Sequence, residues 1–301
     1  ISNNELKLTK GDYININYST KTKYIPNTIP VWPSGIEKNI NVGSEILLDD
    51  GSIKVKIISI ENETIKCEVE NEGILKSNKS LVIPGKGSKI DYLTPETLES
   101  LEFIANQKID FIGMSYVRSD NDVKIVKNYF SKKTNQPKLI SKIELPVDLN
   151  TLEKIIKSSD GVMVARGDLG VQVPISKVPS FQKKIINISN RLGKPVITAT
   201  QMLESMIESP SPTRAEATDI YNAVNDGTDA LMLSAETSIG KYPIESVMKM
   251  SEIALEAEKD FDHVGFMENR NKDELSTLVD EAISYGACKT AHSVKAKLII
   301  A

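Results

Sequence analysis

Aromatic residues are scarce in this 301-residue chain: Phe, Trp and Tyr together make 5% of it, with one Trp. Cysteine is scarcer still, and the two present, Cys67 and Cys288, match no metal or redox spacing. That excludes a disulfide framework and a zinc cluster, and both are expected as buried, reduced thiols. The two histidines, His263 and His292, lie outside the strand ends described below, which argues against a histidine general base. No apolar run approaches the ~20 residues of a membrane helix, and the opening residues do not read as a signal peptide. A Gly-x-x-x-x-Gly-Lys-Ser/Thr element is absent, so a Walker-type nucleotide site is excluded. Lys plus Arg is 37 against 41 Asp plus Glu, a net charge of −4. Without a basic surplus no nucleic-acid partner is expected, and any anion must be recognised locally.

What is present divides by period. From about Glu5 to Pro84 apolar residues alternate: Ile53, Val55 and Ile57, then Ile65, Cys67 and Val69 beyond the Glu61-Asn62-Glu63 turn. Turn chemistry recurs at Asp49-Asp50-Gly51 and Glu72-Gly73. Short alternating strands with close turns predict a small antiparallel barrel or sandwich. From Lys89 the period lengthens. Thr94-Pro95 puts Thr at N-cap and Pro at N1, ahead of Leu98, Leu101, Ile104 and Ala105 at helical spacing. Apolar runs follow at Phe111–Ser115, Leu139–Ile143, Gly161–Ala165, Pro195–Ala199 and Ala230–Ser234. Between them stand amphipathic stretches such as Asn121–Phe130, Leu149–Ile156, Val178–Leu192 and Ile244–Lys259. This alternation predicts a parallel α/β arrangement whose strands are apolar throughout because both faces are buried.

Each run ends in polar residues: Ser115 and Arg118; Lys142 and Glu144; Arg166 and Asp168; Thr200 and Gln201; Ser234 and Glu236. A (β/α)₈ barrel gathers its chemistry from many strand ends at one mouth, whereas an open sheet uses one switch point. The expected fold is therefore α/β, a (β/α)₈ TIM barrel of which the later five βα units are present. Because the chain opens on Ile1 and stops inside Leu298–Ala301, it reads as a piece of a longer protein, with the earlier strands ahead of residue 1. A helix around Leu275–Ala291 and a strand at Ala296–Ala301 are expected to begin a third region. The domains are read as 1–86, a small β domain; 87–267, part of the barrel; and 268–301, the start of a C-terminal α/β domain.

Two acids carry the chemistry. Lys142 and Glu144 are two apart, so on a strand they face one side. A lysine and a carboxylate on an inward apolar face are costly unless a ligand or metal completes them, although an intrastrand ion pair is the plainer alternative. Asp168 stands just past the next strand, where it and Glu144 can share a cation. Two carboxylates without imidazole or thiol suit Mg²⁺ or Mn²⁺. Gly167 and Gly170 are expected to turn the backbone tightly so that N–H groups meet an anion, a pattern that surface loops share. The run Pro195–Met206 reads as a strand passing directly into a helix, with Thr200 at the junction as cap or ligand contact. Met202 and Met206 read as core filling.

Taken together, Ile140–Glu144, Asp160–Gly170, the long run Gly193–Glu216, and Leu233–Thr237 with Gly240-Lys241-Tyr242-Pro243 closely resemble the pyruvate kinases. Most specific is Ala199-Thr200-Gln201-Met202-Leu203-Glu204-Ser205-Met206 with Pro212-Thr213-Arg214-Ala215-Glu216, and the likeness extends to the Asp49-Asp50-Gly51 turn. The resemblance implies a barrel with a mobile β lid inserted in it and a C-terminal domain that barely starts here. It implies phosphoryl transfer from phosphoenolpyruvate to ADP, giving pyruvate and ATP through a metal-stabilised enolate. Glu144 and Asp168 would then hold Mg²⁺ or Mn²⁺, and Lys142 would stabilise charge on the transferring phosphoryl group. The Ala165, Arg166, Gly167 and Asp168 backbone would cradle the substrate carboxylate, with Ser115 nearby. Thr200 would bind substrate and help deliver a proton to the enolate. Lys79 and Asp50 would meet the nucleotide. A K⁺ requirement is implied, with ligands outside this chain, as are a homotetramer and a cytoplasmic location, or an organellar one after loss of a targeting peptide.

The chain departs from the family pattern at Leu145-Pro146, where Asn usually follows Lys-Ile-Glu, at Ala235 in place of Gly, and at Gln172 in place of an acid. These bear on what surrounds the metal site and not on its ligands. Two other functions compete: a metal-dependent aldolase or lyase acting through a pyruvate enolate, and a non-catalytic pyruvate kinase paralogue.

Overall fold

Alternating runs at the start of the chain pair into strands: β1 Glu5–Leu8, β2 Tyr13–Asn17, β3 Thr28–Pro30, β4 Glu45–Leu48, β5 Ile53–Glu61, β6 Thr64–Val69, β7 Gly73–Lys76 and β8 Leu81–Val82. The structure is a computed structural model that describes residues 5–18, 28–31, 40–84, 91–270 and 279–300. The strands form a six-stranded sheet ordered β3-β2-β6-β5-β4-β8 and a two-stranded β1-β7 ribbon. All pairs are antiparallel except β2 with β3. The period-two pattern sets the register: Ile53, Val55 and Ile57 turn inward with Ile65, Cys67 and Val69, while Lys54 and Lys56 face water. Asn62 makes the β5–β6 turn with φ 51°, a conformation Asn tolerates. Gly73 is required by space, since a Cβ there would lie 2.7 Å from Ile53 Cγ1.

The longer period gives strand–helix units. The first of them are α1 Pro95–Ala105, β9 Phe111–Met114, α2 Asp120–Phe130, β10 Lys138–Ile143, α3 Leu149–Ser158, β11 Gly161–Ala165, α4 Arg166–Gln172 and α5 Val178–Arg191. Thr94 caps α1 by accepting from Thr97 N–H at 3.2 Å, and Asp148 caps α3 through Thr151 N–H at 3.1 Å. Parallel pairing orders β9, β10 and β11 side by side, with Ile140 opposite both Gly113 and Gly161. Asp160 locks this group: its carboxylate accepts from Leu139 N–H at 2.9 Å and pairs with Lys127 at 3.2 Å.

The remaining elements are β12 Val196–Ala199, a 3₁₀ turn Glu204–Ile207, α6 Arg214–Asn225, β13 Ala230–Met232, α7 Ala235–Ser238, α8 Pro243–Lys259, α9 His263–Arg270 and α10 Val279–Ser293. β12 and β13 are parallel. The chain divides into two units, Ile1–Gln182 and Lys183–Ala301. In the first, the β1–β8 strands close over Ile14, Ile16, Ile46, Ile57 and Ile65; in the second, Met202, Leu203, Met206, Ile220, Ala223 and Met250 form a cluster. Met202 and Met206 are therefore core, as expected. No described helix is long and apolar enough to cross a membrane.

Several expectations need correction. β11 is buried throughout, but β9 lies at a sheet edge and leaves Phe111 63% exposed, so strands buried on both faces are not the rule. Gly167 and Gly170 sit in the helical turns of α4 and neither has a positive φ, so they make no tight turn. β12 does not run into an α-helix: the segment passes through a bend and a 3₁₀ turn, and α6 begins only at Arg214. Residues 296–300 form no strand, because none of them joins a ladder among the described residues. Cys67 is buried, and burial pushes its thiol up to about 12, whereas Cys288 is exposed on α10. Part of the helix expected at Leu275–Ala291 lies outside the described residues; the described part is α10.

Candidate active site

Because β9, β10 and β11 are parallel, their C-terminal ends share one edge of the sheet. Ser115 and Tyr116 follow β9, Glu144 follows β10, and the chain passes from Ala165 at the end of β11 straight into the first turn of α4. Lys142 reaches out of β10 between two of these ends. Its Nζ lies 2.5 Å from Glu144 Oε1 and donates to Ser115 Oγ at 2.9 Å. The other Glu144 oxygen accepts from Tyr116 N–H at 2.5 Å. The intrastrand ion pair therefore forms, with the Glu144 side chain 1% exposed and that of Lys142 26%.

The electrostatics of this corner are short of positive charge. Burial raises the Glu144 pKa, and Asp168 adds to the rise, against the lowering influence of Lys142 and the Tyr116 amide. Burial likewise raises Asp168, with Lys142 opposing and Asp50 reinforcing. The Tyr116 hydroxyl contacts Asp168 Oδ1 at 3.5 Å, the outer limit of a hydrogen bond. Burial and the Asp168 and Glu144 charges push that phenol upward too. Tyr116 has φ 53°, an outlier for a bulky side chain that costs roughly 1–3 kcal/mol.

These observations bear on a metal. Among the described residues no group of three or more His, Cys, Asp and Glu side chains is placed to hold an ion. Glu144 and Asp168 fit a hard cation that takes two carboxylates and completes its shell from substrate or solvent oxygens. Their raised pKa values mark two desolvated acids with one lysine between them, a deficit that a divalent cation would relieve.

The β4–β5 turn belongs to the same unit. Asp49, Asp50 and Gly51 take φ values of 50°, 53° and 86° in succession. Lys79 pairs with Asp49 at 2.8 Å, and Ser80 Oγ donates to Asp50 Oδ1 at 2.6 Å. A Cβ on Gly51 would meet Val171 Cγ1 of α4 at 3.6 Å, so the turn lies against the helix that carries Asp168. Arg166 is buried and directs its guanidinium to Gln182 at 3.4 Å.

Thr200 belongs to the second unit. Instead of capping a helix, its hydroxyl donates to the Ala199 carbonyl at 2.6 Å. Thr200 and Gln201 have φ 68° and 52°, and a β-branched residue in that region is a marked outlier. Glu236, in the first turn of α7, accepts from Leu203 N–H at 3.0 Å and Ser234 N–H at 2.8 Å. Glu216 accepts from the amide and hydroxyl of Ser205, at 2.7 and 2.6 Å, and from those of Thr213, at 2.7 and 2.8 Å.

Of the residues singled out from sequence, Ser115, Lys142, Glu144 and Asp168 gather at one sheet edge with Ala165, Arg166 and Gly167, and Asp50 is close enough to influence Asp168. Lys79 is engaged with Asp49 of the β4–β5 turn. Tyr116 was missed. Its place in the Met114–Arg118 strand end was visible, but its left-handed backbone was not.

Residues 1–247 match the family "Pyruvate kinase, barrel domain". The chain is 41% identical over 264 residues to a pyruvate kinase of Clostridium acetobutylicum, covering 87% of this chain and 56% of that protein. It is 38% identical over 298 residues to one from Staphylococcus aureus, covering 98% and 51%, and 42% identical over 267 residues to one from Thermotoga maritima, covering 89% and 56%. The chain thus spans little more than half the length of these curated relatives. With a β-rich first region, strand–helix units beyond it and this match along most of its length, the chain belongs to the pyruvate kinase family and has its α/β barrel fold.

Proposed function

We propose that the protein catalyses phosphoryl transfer from phosphoenolpyruvate to ADP, yielding pyruvate and ATP. The observation that carries this reading is Lys142, held between Ser115 and Glu144 beside a second desolvated acid, Asp168. Phosphoryl transfer asks the protein for positioning and charge neutralisation more than for covalent chemistry. Mg²⁺ or Mn²⁺ held by Glu144 and Asp168 would supply positive charge for the enolate oxygen. Lys142 neutralises the phosphoryl oxygens, with Ser115 steering its ammonium. The Ala165–Asp168 backbone receives the substrate carboxylate. Thr200 binds substrate and takes part in proton delivery to the enolate. Asp50 and Lys79, in the small β domain read as 1–86, face the nucleotide. That domain closes over the barrel part, read as 87–267, to exclude water, and 268–301 opens the C-terminal domain. A K⁺ requirement, a homotetramer and a cytoplasmic location complete the proposal on family likeness alone.

The test is a coupled assay for pyruvate on the full-length protein with phosphoenolpyruvate, ADP, Mg²⁺ and K⁺. Pyruvate formation that depends on both ADP and the divalent cation is expected. No pyruvate from a folded protein that still binds phosphoenolpyruvate would overturn the reading in favour of a non-catalytic member.

A further inference from the structure

We propose that Glu236 is a positioning residue for Thr200, fixing the left-handed turn on which that threonine stands. The inference rests on Thr200 acting on substrate, as proposed above. Glu236 is 2% exposed, and its two oxygens serve different segments. Oε1 accepts from Leu203 N–H at 3.0 Å, on the chain that leaves β12, and Oε2 accepts from Ser234 N–H at 2.8 Å, on the chain that leaves β13. Only a carboxylate places an acceptor on each terminal atom at this reach; glutamine would turn an NH₂ toward one of the two N–H donors.

The backbone around Thr200 explains the need. Thr200 and Gln201 hold φ 68° and 52° in succession, and such conformations persist only where the surroundings over-determine them. On the upstream side β12 does this, with Thr198 Oγ1 donating to Thr228 Oγ1 at 3.0 Å and Thr200 Oγ1 to the Ala199 carbonyl at 2.6 Å. On the downstream side Leu203 is fully buried, but apolar packing is non-directional and by itself does not set the rotation of its peptide plane. The bond from Leu203 N–H to Glu236 does. Glu216 holds Ser205, farther along, and ties it to α6 instead. Of these two carboxylates, Glu236 is thus the one anchored nearer the strained pair.

The test is a double-mutant cycle in the full-length protein with Mg²⁺ and K⁺. Two rates are read: steady-state pyruvate formation, and exchange of the pyruvate methyl protons with solvent deuterium followed by NMR. Glu236→Gln is expected to lower kcat and the exchange rate roughly ten- to hundredfold, with KM for phosphoenolpyruvate within about twofold. In a Thr200→Val background the same change is expected to cost less than about threefold further, because the group being positioned is already gone. Losses that multiply would overturn the proposal while leaving the role of Thr200 intact, since Glu236 would then act independently. An unchanged exchange rate in Thr200→Val alone would overturn the reading of Thr200 and this proposal with it. If Glu236→Gln fails to fold, Glu236→Asp, which keeps the charge and shortens the reach, enters the same cycle with the same outcomes.

Discussion

Glu144 and Asp168 in the first unit and Glu216 and Glu236 in the second are two pairs of acids answered differently. In the first, Glu144 takes one amide and one ammonium, and Asp168 has a phenol at hydrogen-bonding limit; burial leaves both with raised pKa values. In the second, Glu216 collects four N–H and O–H donors and Glu236 two backbone amides. For Glu216, burial pushes upward, but the Ser205 and Thr213 donors outweigh it and hold the carboxyl below its ordinary value. Acids whose lone pairs are filled by the protein shape the chain. Acids left short of donors at a sheet edge are a functional-site signature.

Breaking the first pair should have the largest effect, and Lys142 is the way to do it. Removing the only ammonium bonded to Glu144 among the described contacts should cost roughly 3–5 kcal/mol of transition-state stabilisation. Lys142→Met in the full-length protein is expected to lose turnover by about two to four decades while still binding Mn²⁺. Turnover within a factor of about three of the parent would make the lysine a structural partner of Glu144 and nothing more.

Next comes Asp168. Its replacement by Asn would remove one of the two hard ligands proposed for the cation, so the Mg²⁺ or Mn²⁺ needed for half-maximal rate should rise by about an order of magnitude or more. Metal titration of Asp168→Asn and of Glu144→Gln measures this. Unshifted curves in both would remove the cation from this corner.

How much of this was legible in the sequence depended on the kind of interaction. The period change near Lys89 separated β1–β8 from the strand–helix units, because burial of one face leaves a periodic trace. Lys142, Glu144 and Asp168 were legible because charged residues ending apolar strands stand out. The path after Thr200 was not. Its apolar Met202, Leu203 and Met206 suggest a helix, yet Thr200 and Gln201 take left-handed backbone that sequence gives no sign of in a β-branched residue. Nor was the helical setting of Gly167 and Gly170, where glycine looked like turn chemistry and local hydrogen bonding made α4 instead. The donors to Glu216 and Glu236 are backbone amides in the main, and every residue but proline has one, so no pattern announces them.

The saturated pair gives the third prediction, a loss of stability without loss of the metal site. Glu216→Gln keeps one acceptor oxygen and forfeits the charge, so unfolding free energy should fall by about 1–3 kcal/mol, with the metal requirement unchanged. The pH dependence has a definite sign. The folded carboxyl of Glu216 titrates below its unfolded value, so its contribution is fully present above the unfolded pKa and is lost as pH falls through the folded one. The parent and Glu216→Gln should therefore converge in stability toward acid pH. Parallel curves down to the acid transition would show that the charge is immaterial to the bonds.

The smallest effect sharpens the comparison at its weakest contact. Tyr116 serves the first pair twice, through its N–H to Glu144 at 2.5 Å and through its hydroxyl to Asp168 at 3.5 Å. Phenylalanine at this position keeps the first and deletes only the second. A bond at that length contributes little beyond what water would supply, so Tyr116→Phe should change the apparent metal affinity by less than about threefold. Mn²⁺ titration of the variant beside its parent decides it. A tenfold change would mean that the hydroxyl is a working donor to Asp168, that this acid is better answered than its raised pKa implies, and that the contrast between the two pairs rests on Glu144 alone.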